Sequence, residues 1–159
     1  DAVIGDVDGG WAVLSKMLNA GRTGSAAEMV GVGTGAMDLT FDYLKQRKQF
    51  GRVIGEFQSL QHRAAHLYGE MEMARSAVLK ALQALDADDG ERSLLASAAK
   101  AKCSRTAQLA VNEAVQMHGG IGMTDDLDIG LFMKRAAAAA QRFGDAYYHA
   151  GRFAQLRGY

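Results

Sequence analysis

The sequence predicts an all-α protein, an up-and-down bundle of four helices followed by a short additional C-terminal helix. Apolar residues recur every three or four positions over long stretches, which is the periodicity of amphipathic helices. The 159 residues include no proline and nineteen glycines, so glycine and polar turns must end the helices. No strand pattern competes with this reading. At this length the chain is expected to form one domain over residues 1–159.

The predicted elements follow one another with short joins. A short extended entry over residues 1–8 leads into a first helix over residues 10–48, and a turn over residues 50–57 leads into the second. The second helix ends at residues 86–90, where the third begins. A fourth helix runs through the alanine-rich stretch after residue 128, and a last helix covers roughly residues 144–156.

Two apolar stripes define the predicted core. The stripe of the second helix consists of Phe57, Leu60, Ala64, Leu67, Met71, Ala74, Val78, Leu82 and Leu85. The stripe of the third helix is built from smaller residues, namely Leu95, Ala99, Cys103, Ala107, Ala110, Ala114 and Met117. Small residues predict a tight helix interface. Close packing is also expected at Gly31, Gly33 and Gly35, and Cys103 is read as core filler.

A glycine loop interrupts the helices in the stretch QMHGGIGMTDDLDIGLFMKR, residues 116–135. Glycines at a helix end expose backbone N–H groups, which suit a phosphate or another anion, although the simpler alternative is a C-cap joining two helices. The acids of residues 125–128 are expected to supply the N-cap and first-turn charges of the fourth helix. Their order does not fit a calcium loop, so no metal site is predicted.

Charge and hydropathy limit the partners. Eighteen basic and eighteen acidic residues cancel, so no overall field attracts the chain to nucleic acid or to an anionic membrane. No apolar run reaches the length of a membrane span, and the first residues lack the features of a signal peptide. The sequence therefore predicts a cytoplasmic protein.

Two longer motifs carry a family resemblance. The stretch YLKQRKQFGRVIGEFQSLQH at residues 43–62 is followed about fifty residues later by AVQMHGGIGMTDDLDIGLFMKRA at residues 114–136. Together with VIGDVDGGW at residues 3–11, they resemble the C-terminal helical domain of the acyl-CoA dehydrogenases, in that family's order and spacing. A complete member also has an N-terminal helical domain and a middle β domain, which this chain is expected to lack.

The resemblance implies an acyl-CoA substrate, assembly into homo- or hetero-oligomers as dimers or tetramers, and contact with FAD that a neighbouring subunit mainly holds. Carried over by position, the cofactor-binding residues are Arg47, Phe50, Gln58, Gln116, Gly119 and Gly120. A diphosphate suits a guanidinium and bare N–H groups. Bound FAD is not expected in this segment alone. His118 is expected to be a packed or surface histidine, not a base.

The resemblance also implies a catalytic glutamate that removes a proton from the acyl-CoA, and neither of its two usual positions holds one. Phe143 occupies the first position, in QRFGDA, and Gly21 occupies the second, directly before Arg22. Asp145 and Tyr147 replace two residues that help bind flavin in the family. Arg22 is left with a partner-side, substrate or structural role.

Three explanations remain open for the missing glutamate. In the first explanation, the chain belongs to a heteromeric dehydrogenase whose other subunit supplies the base, as in enzymes of sterol side-chain β-oxidation. This explanation fits the retained motifs best. Alternatively, Asp145 serves as the base after a modest backbone shift. The third explanation is a non-enzymatic helical assembly module that keeps only the packing surfaces of the family.

Overall fold

The computed structural model describes residues 5–87 and 90–159, and its elements are almost all helical. The five α-helices are α1 (Gly10–Gln46), α2 (Gln58–Asp86), α3 (Arg92–His118), α4 (Ile129–Gln141) and α5 (Ala146–Arg157). Short 3-10 turns cover Ile54–Glu56 and Gly119–Met123. The predicted all-α class is confirmed. Residues 1–4 of the predicted extended entry lie outside the described residues.

Helices α1 and α3 run in the same direction and share the most extensive contact of the fold. Near their starts, the Asn19 side chain donates a hydrogen bond of 2.8 Å to the Ser93 hydroxyl. Near their ends, the Tyr43 hydroxyl donates one of 3.5 Å to the backbone carbonyl of His118. The two helices therefore stay together over the whole length of α3.

Helix α2 runs antiparallel to α3. Arg63 near the start of α2 forms an ion pair of 2.6 Å with Glu113 near the end of α3. Farther along α2, Glu70 forms an ion pair of 2.6 Å with Lys102, which lies earlier in α3. Helix α2 thus returns along the bundle, as expected for helices joined by short turns.

Helix α4 packs antiparallel to α1 on another side of α3. The Ser25 hydroxyl donates to the carbonyl of Ala139 at 3.2 Å, whereas the later Gly35 lies against the ring of Phe132, which is earlier in α4. The direction therefore alternates from α1 to α4, and α5 adds a short fifth helix that packs on α3.

Small residues bring the helices together, as the third-helix stripe predicts. Seven alanines of α1, α2 and α3 are fully buried, namely Ala26, Ala36, Ala81, Ala96, Ala99, Ala110 and Ala114. A Cβ at Gly33 would lie 2.9 Å from the Met71 sulfur, and one at Gly35 would lie 2.7 Å from the Phe132 ring, which confirms close packing at both glycines. The same expectation is wrong for Gly31, which is exposed and has no neighbour within 4 Å.

The second-helix stripe is partly wrong near the end of α2. Leu82 is exposed, and Ala81 and Ala84 face the core in its place. Cys103 is buried as predicted, where its thiol contacts the carbonyl of Ala74 at 3.8 Å. Burial raises the pKa of this thiol to about 12.

Two local features differ from the sequence prediction. The first helix ends at Gln46, and the following join contains a two-stranded antiparallel hairpin, β1 (Lys48–Gln49) and β2 (Arg52–Val53), where no strand was expected. Asp128 is the N-cap residue of α4, but its side chain makes no cap hydrogen bond and the first turn carries no acid. Its helical backbone conformation explains this, because a capping side chain normally needs an extended backbone.

Within residues 5–87 and 90–159, no helix is both long enough and apolar enough to cross a membrane.

Candidate functional site

The hairpin positions the basic residue that follows α1. The N–H of Arg47 donates to the carbonyl of Tyr43 at 2.9 Å, and the carbonyl of Arg47 accepts from the N–H of Ile54 at 2.9 Å. The turn uses left-handed conformations at Phe50 and Gly51, with φ values of 55° and 81°. Phe50 is 88% exposed, and its ring lies edge-on to the Phe57 ring, with centroids 6.1 Å apart.

The other wall of the site comes from the end of α3. Gly119 ends this helix with a φ of 67°, a conformation that favours glycine. Its N–H group bonds back to the carbonyls of Val115 and Gln116. The expectation that Gly119 offers a bare N–H group is therefore wrong, because the last turn of α3 already uses that donor.

The two walls enclose a pocket of about 340 Å³, here called the hairpin pocket. Four predicted cofactor-binding residues line it, namely Arg47, Phe50, Gln116 and Gly119. Residues from α1, the hairpin and the end of α3 thus come together, although about seventy positions separate Arg47 from Gln116 in the sequence. Gln58, the exposed first residue of α2, and the exposed Gly120 are not among the lining residues.

Sequence reasoning missed other residues of this pocket, including Tyr43, Arg63 and His118. His118 is nearly buried, as predicted for a packed histidine, and its Nδ1 lies 2.8 Å from the carbonyl of Ala114. Its ring lies 4.3 Å from the Tyr43 ring. The signal for Tyr43 was present in the sequence, since it precedes Arg47 by one helical turn.

The hairpin pocket carries an unbalanced positive charge. Glu113 neutralises Arg63 through the ion pair described above, whereas Arg47 has no carboxylate within 4 Å among the residues that the structure describes. An exposed guanidinium beside an aromatic ring and a side-chain amide suits an anionic, planar guest. Among the described residues, no group of three or more histidines, cysteines and acids comes together as a metal site.

The two positions where the resemblance places a catalytic glutamate meet in space. Phe143 adopts a φ of 61° in the loop between α4 and α5, and its ring lies on α1 at Gly21. A Cβ at Gly21 would lie 2.7 Å from Cζ of this ring. The ring therefore occupies the space that any side chain at position 21 would need.

Cationic side chains lie beneath this loop. Arg22 is nearly buried, and one of its terminal nitrogens donates to the Asn19 side chain at 3.1 Å. Burial, and secondarily the nearby Arg152, lower the pKa of Arg22. The carboxylate of Asp145 accepts a hydrogen bond of 2.8 Å from the N–H of Tyr148 and so caps α5. These contacts give both Arg22 and Asp145 a structural role.

Coupling between Gly21 and Phe143 gives a testable prediction. Gly21→Ala should lose most of the helix-propensity gain of about 1 kcal/mol, because the ring must swing away from the new methyl group. In a Phe143→Ala background the same change should recover that gain. Gly24→Ala, which meets nothing within 4 Å on the same helix, is the control in both backgrounds. Equal effects at Gly21 in both backgrounds, measured by urea unfolding, would contradict the contact.

The fold and the hairpin pocket define a class, that of helical bundles with an exposed guanidinium and an aromatic ring at one pocket. Comparison with known proteins defines the family. Residues 8–152 match the model of the acyl-CoA dehydrogenase C-terminal domain, and the chain belongs to this family.

Relatives and a solved structure agree with this assignment. The chain is 37% identical over 136 residues to the mitochondrial short/branched chain specific acyl-CoA dehydrogenase of Bos taurus, covering 84% of this chain and 31% of that protein. It is 41% identical over 119 residues to the acyl-CoA dehydrogenase IpdE2 of Mycolicibacterium smegmatis, covering 75% and 36%. A structure described as the Tcur3481-Tcur3483 steroid ACAD G363A variant superposes with a TM-score of 0.86 at 34% identity, covering 92% and 40%. The chain thus spans about a third of the length of these relatives.

Proposed function

We propose that this chain is the C-terminal helical domain of a flavin-dependent acyl-CoA dehydrogenase and that its hairpin pocket contacts FAD held mainly by a neighbouring protomer. The convergence of Arg47, Phe50 and Gln116 on one pocket carries this proposal. The Arg47 guanidinium would meet the diphosphate, and the Phe50 ring would lie beside the adenosine part. Bound FAD would supply the redox chemistry, while these residues would bind and orient it. The domain would work in an oligomer acting on an acyl-CoA, and a cytoplasmic location remains part of the proposal.

The residues of the hairpin pocket fit FAD only in part. An uncompensated guanidinium, an exposed aromatic ring and an exposed amide face the pocket, as a dinucleotide requires. The Gly119 N–H group is not free to join them. We therefore assign the diphosphate contact to Arg47, and we assign the glycines the task of ending α3 close to the pocket.

The same chain is proposed to lack the base of the reaction. A phenyl ring and a glycine meet where the family resemblance places the glutamate, and neither accepts a proton. A subunit that keeps the cofactor contact and lacks the base fits a heteromeric dehydrogenase in which a partner subunit supplies the carboxylate. One solved relative, described as the Tcur3481-Tcur3483 steroid ACAD G363A variant, is named after two proteins, which supports this arrangement.

Replacing Arg47 tests the flavin contact. In the assembled flavoprotein, Arg47→Ala should weaken FAD binding by roughly tenfold, because a charge-assisted contact with the diphosphate is lost. Arg47→Lys should recover part of the affinity, since it keeps the charge and loses the planar fork. The measurement is the flavin absorbance per protomer after dialysis against a series of FAD concentrations. Lys48→Ala is the matched control, because Lys48 is exposed and basic but does not line the pocket.

Unchanged flavin content in Arg47→Ala would contradict the proposed contact and favour an assembly module whose pocket residues do not contact flavin. The heteromeric arrangement has a separate test, which is co-expression with a paralogous subunit that carries the glutamate. A yellow complex active on acyl-CoA is expected. An active flavoprotein composed of copies of this chain alone would refute the need for a partner.

Asp145 is the remaining candidate for a base in this chain. Because Asn caps helices nearly as well as Asp, Asp145→Asn should leave stability unchanged, whereas Asp145→Ala should cost about 1 kcal/mol. If the base comes from a partner, Asp145→Asn also keeps the turnover of the complex. A large loss of turnover in a stably folded Asp145→Asn complex would identify Asp145 as the base.

A further inference from the structure

The loop over residues 142–145 turns two consecutive backbone carbonyls toward the interior. The carbonyl oxygen of Phe143 lies 2.9 Å from Nε2 of His149. The next carbonyl oxygen, that of Gly144, accepts a hydrogen bond of 2.9 Å from Nζ of Lys100. One buried side chain from α5 and one from α3 therefore hold neighbouring peptide groups of the same loop.

Lys100 has no solvent exposure, although it carries an ammonium group. Besides the Gly144 carbonyl, its Nζ donates to the carbonyl of Ala140 at 2.9 Å and to the Ser104 hydroxyl at 3.3 Å. Ala140 lies in the last turn of α4, where carbonyls are unpaired and the helix dipole favours a cation. All three donors of the ammonium are thus used to tie the end of α4 to the loop.

His149 is also fully buried. Because Nε2 faces a carbonyl, this nitrogen carries the proton and donates it, and Nδ1 has no hydrogen-bond partner. The ring packs edge-on against Tyr148, with centroids 4.9 Å apart. A Cβ at Gly144 would lie 2.5 Å from the Tyr148 ring, and its φ is 104°, so glycine alone fits the loop at this point.

These anchors determine where the side chain of residue 143 goes. Phe143 has a left-handed backbone, which is unfavourable for a bulky residue unless its surroundings enforce it. His149 holds the carbonyl of this residue, and the Phe143 side chain lies on α1 at Gly21. The conformation of residue 143 therefore depends on two buried donors, Lys100, which lies more than forty positions earlier in the chain, and His149, which lies six positions later.

We infer that Lys100 and His149 are positioning residues, which hold the two carbonyls of the loop and thereby fix the residue-143 side chain against α1 at Gly21. The catalytic meaning of this position rests on the proposed function, because the family resemblance places the base there. The geometric inference does not depend on flavin, so its failure would leave the Arg47 test untouched.

The inference is tested by the NMR shifts of two glycines in the same protein. One α-proton of Gly21 points toward the Phe143 ring and one of Gly35 toward the Phe132 ring, so both should be shifted by ring currents. In Lys100→Met the Gly21 shift should be lost while the Gly35 shift remains. Amide exchange over residues 142–148 should rise about tenfold or more. Lys102→Met, which removes an ion-paired lysine of the same helix, should change neither readout.

A second pair of variants separates positioning from general stability. His149→Ala removes the donor, and the Gly21 shift should be lost. His149→Gln supplies an amide donor of similar reach, and the shift should return. If Lys100→Met unfolds the protein and both glycine shifts are lost, the inference is tested by His149→Ala and His149→Gln alone. A Gly21 shift that persists in folded Lys100→Met or in His149→Ala would overturn the inference.

Discussion

Gly122→Ala is expected to lower the free energy of unfolding by about 2–3 kcal/mol, because the new methyl group would meet backbone atoms that cannot move aside. A Cβ at Gly122 would lie 2.8 Å from the carbonyl oxygen of Val115 and 3.0 Å from Cβ of His118. The 3-10 turn after α3 would have to move away from that helix. Chemical denaturation at neutral pH measures the loss.

The matched control is Gly120→Ala, two positions earlier in the same turn. Gly120 is exposed and has no neighbour within 4 Å, so this change should stay within about 0.5 kcal/mol of the unmodified protein. Similar losses for both variants would mean that the turn as a whole requires glycine flexibility and that the close approach to Val115 is unimportant. Because this turn begins at Gly119, which lines the hairpin pocket, Gly122→Ala should also weaken the proposed flavin contact.

Stability is expected to fall as the pH is lowered from about 6.5 to about 4, with His149 as a main contributor. Burial lowers the pKa of His149 from its ordinary 6.5 to about 4, even though its hydrogen bond to the Phe143 carbonyl acts in the opposite direction. The cations Arg22, Lys100 and Arg152, which come from α1, α3 and α5, lower it further. Above pH 6.5 the imidazole is neutral in both states and its contribution is fully present.

The sign follows from proton binding. Between the two pKa values the unfolded chain binds a proton that the folded chain excludes, so the free energy of unfolding drops as pH falls, by up to about 1.4 kcal/mol per pH unit. Urea unfolding of the unmodified protein and of His149→Gln at several pH values isolates the contribution of His149 to the free energy of unfolding, because both proteins have the same carboxylates. The two curves should converge as the pH falls. Parallel curves would contradict a buried neutral His149.

The helices were predictable because their apolar periodicity is strong, and glycine marks the ends of α3 and α5. The prediction failed where two neighbouring positions are both apolar, as with Ala81 and Leu82, since periodicity cannot then decide which residue faces the core. It also failed at Asp128, whose residue type suits an N-cap although its backbone conformation does not. The hairpin after α1 was missed because strands of two residues carry no periodicity.

The site was predictable only through motifs. Arg47 and Gln116 converge as the two motifs imply, and this convergence is a tertiary property that no local pattern contains. Lys100 was overlooked because a lysine in an alanine-rich helix normally faces solvent, and its carbonyl acceptors lie forty and forty-four positions away. The contact between Gly21 and Phe143 was missed because it also joins positions that are far apart in the sequence.

The burial of Cys103 has a practical consequence. This residue is the only cysteine of the sequence, it is 1% exposed, and its thiol pKa of about 12 leaves almost no thiolate at neutral pH. Maleimide reagents should therefore leave the folded chain unmodified. A cysteine introduced at an exposed position such as Gln58 would then accept a single fluorophore or spin label without removal of the native sulfur.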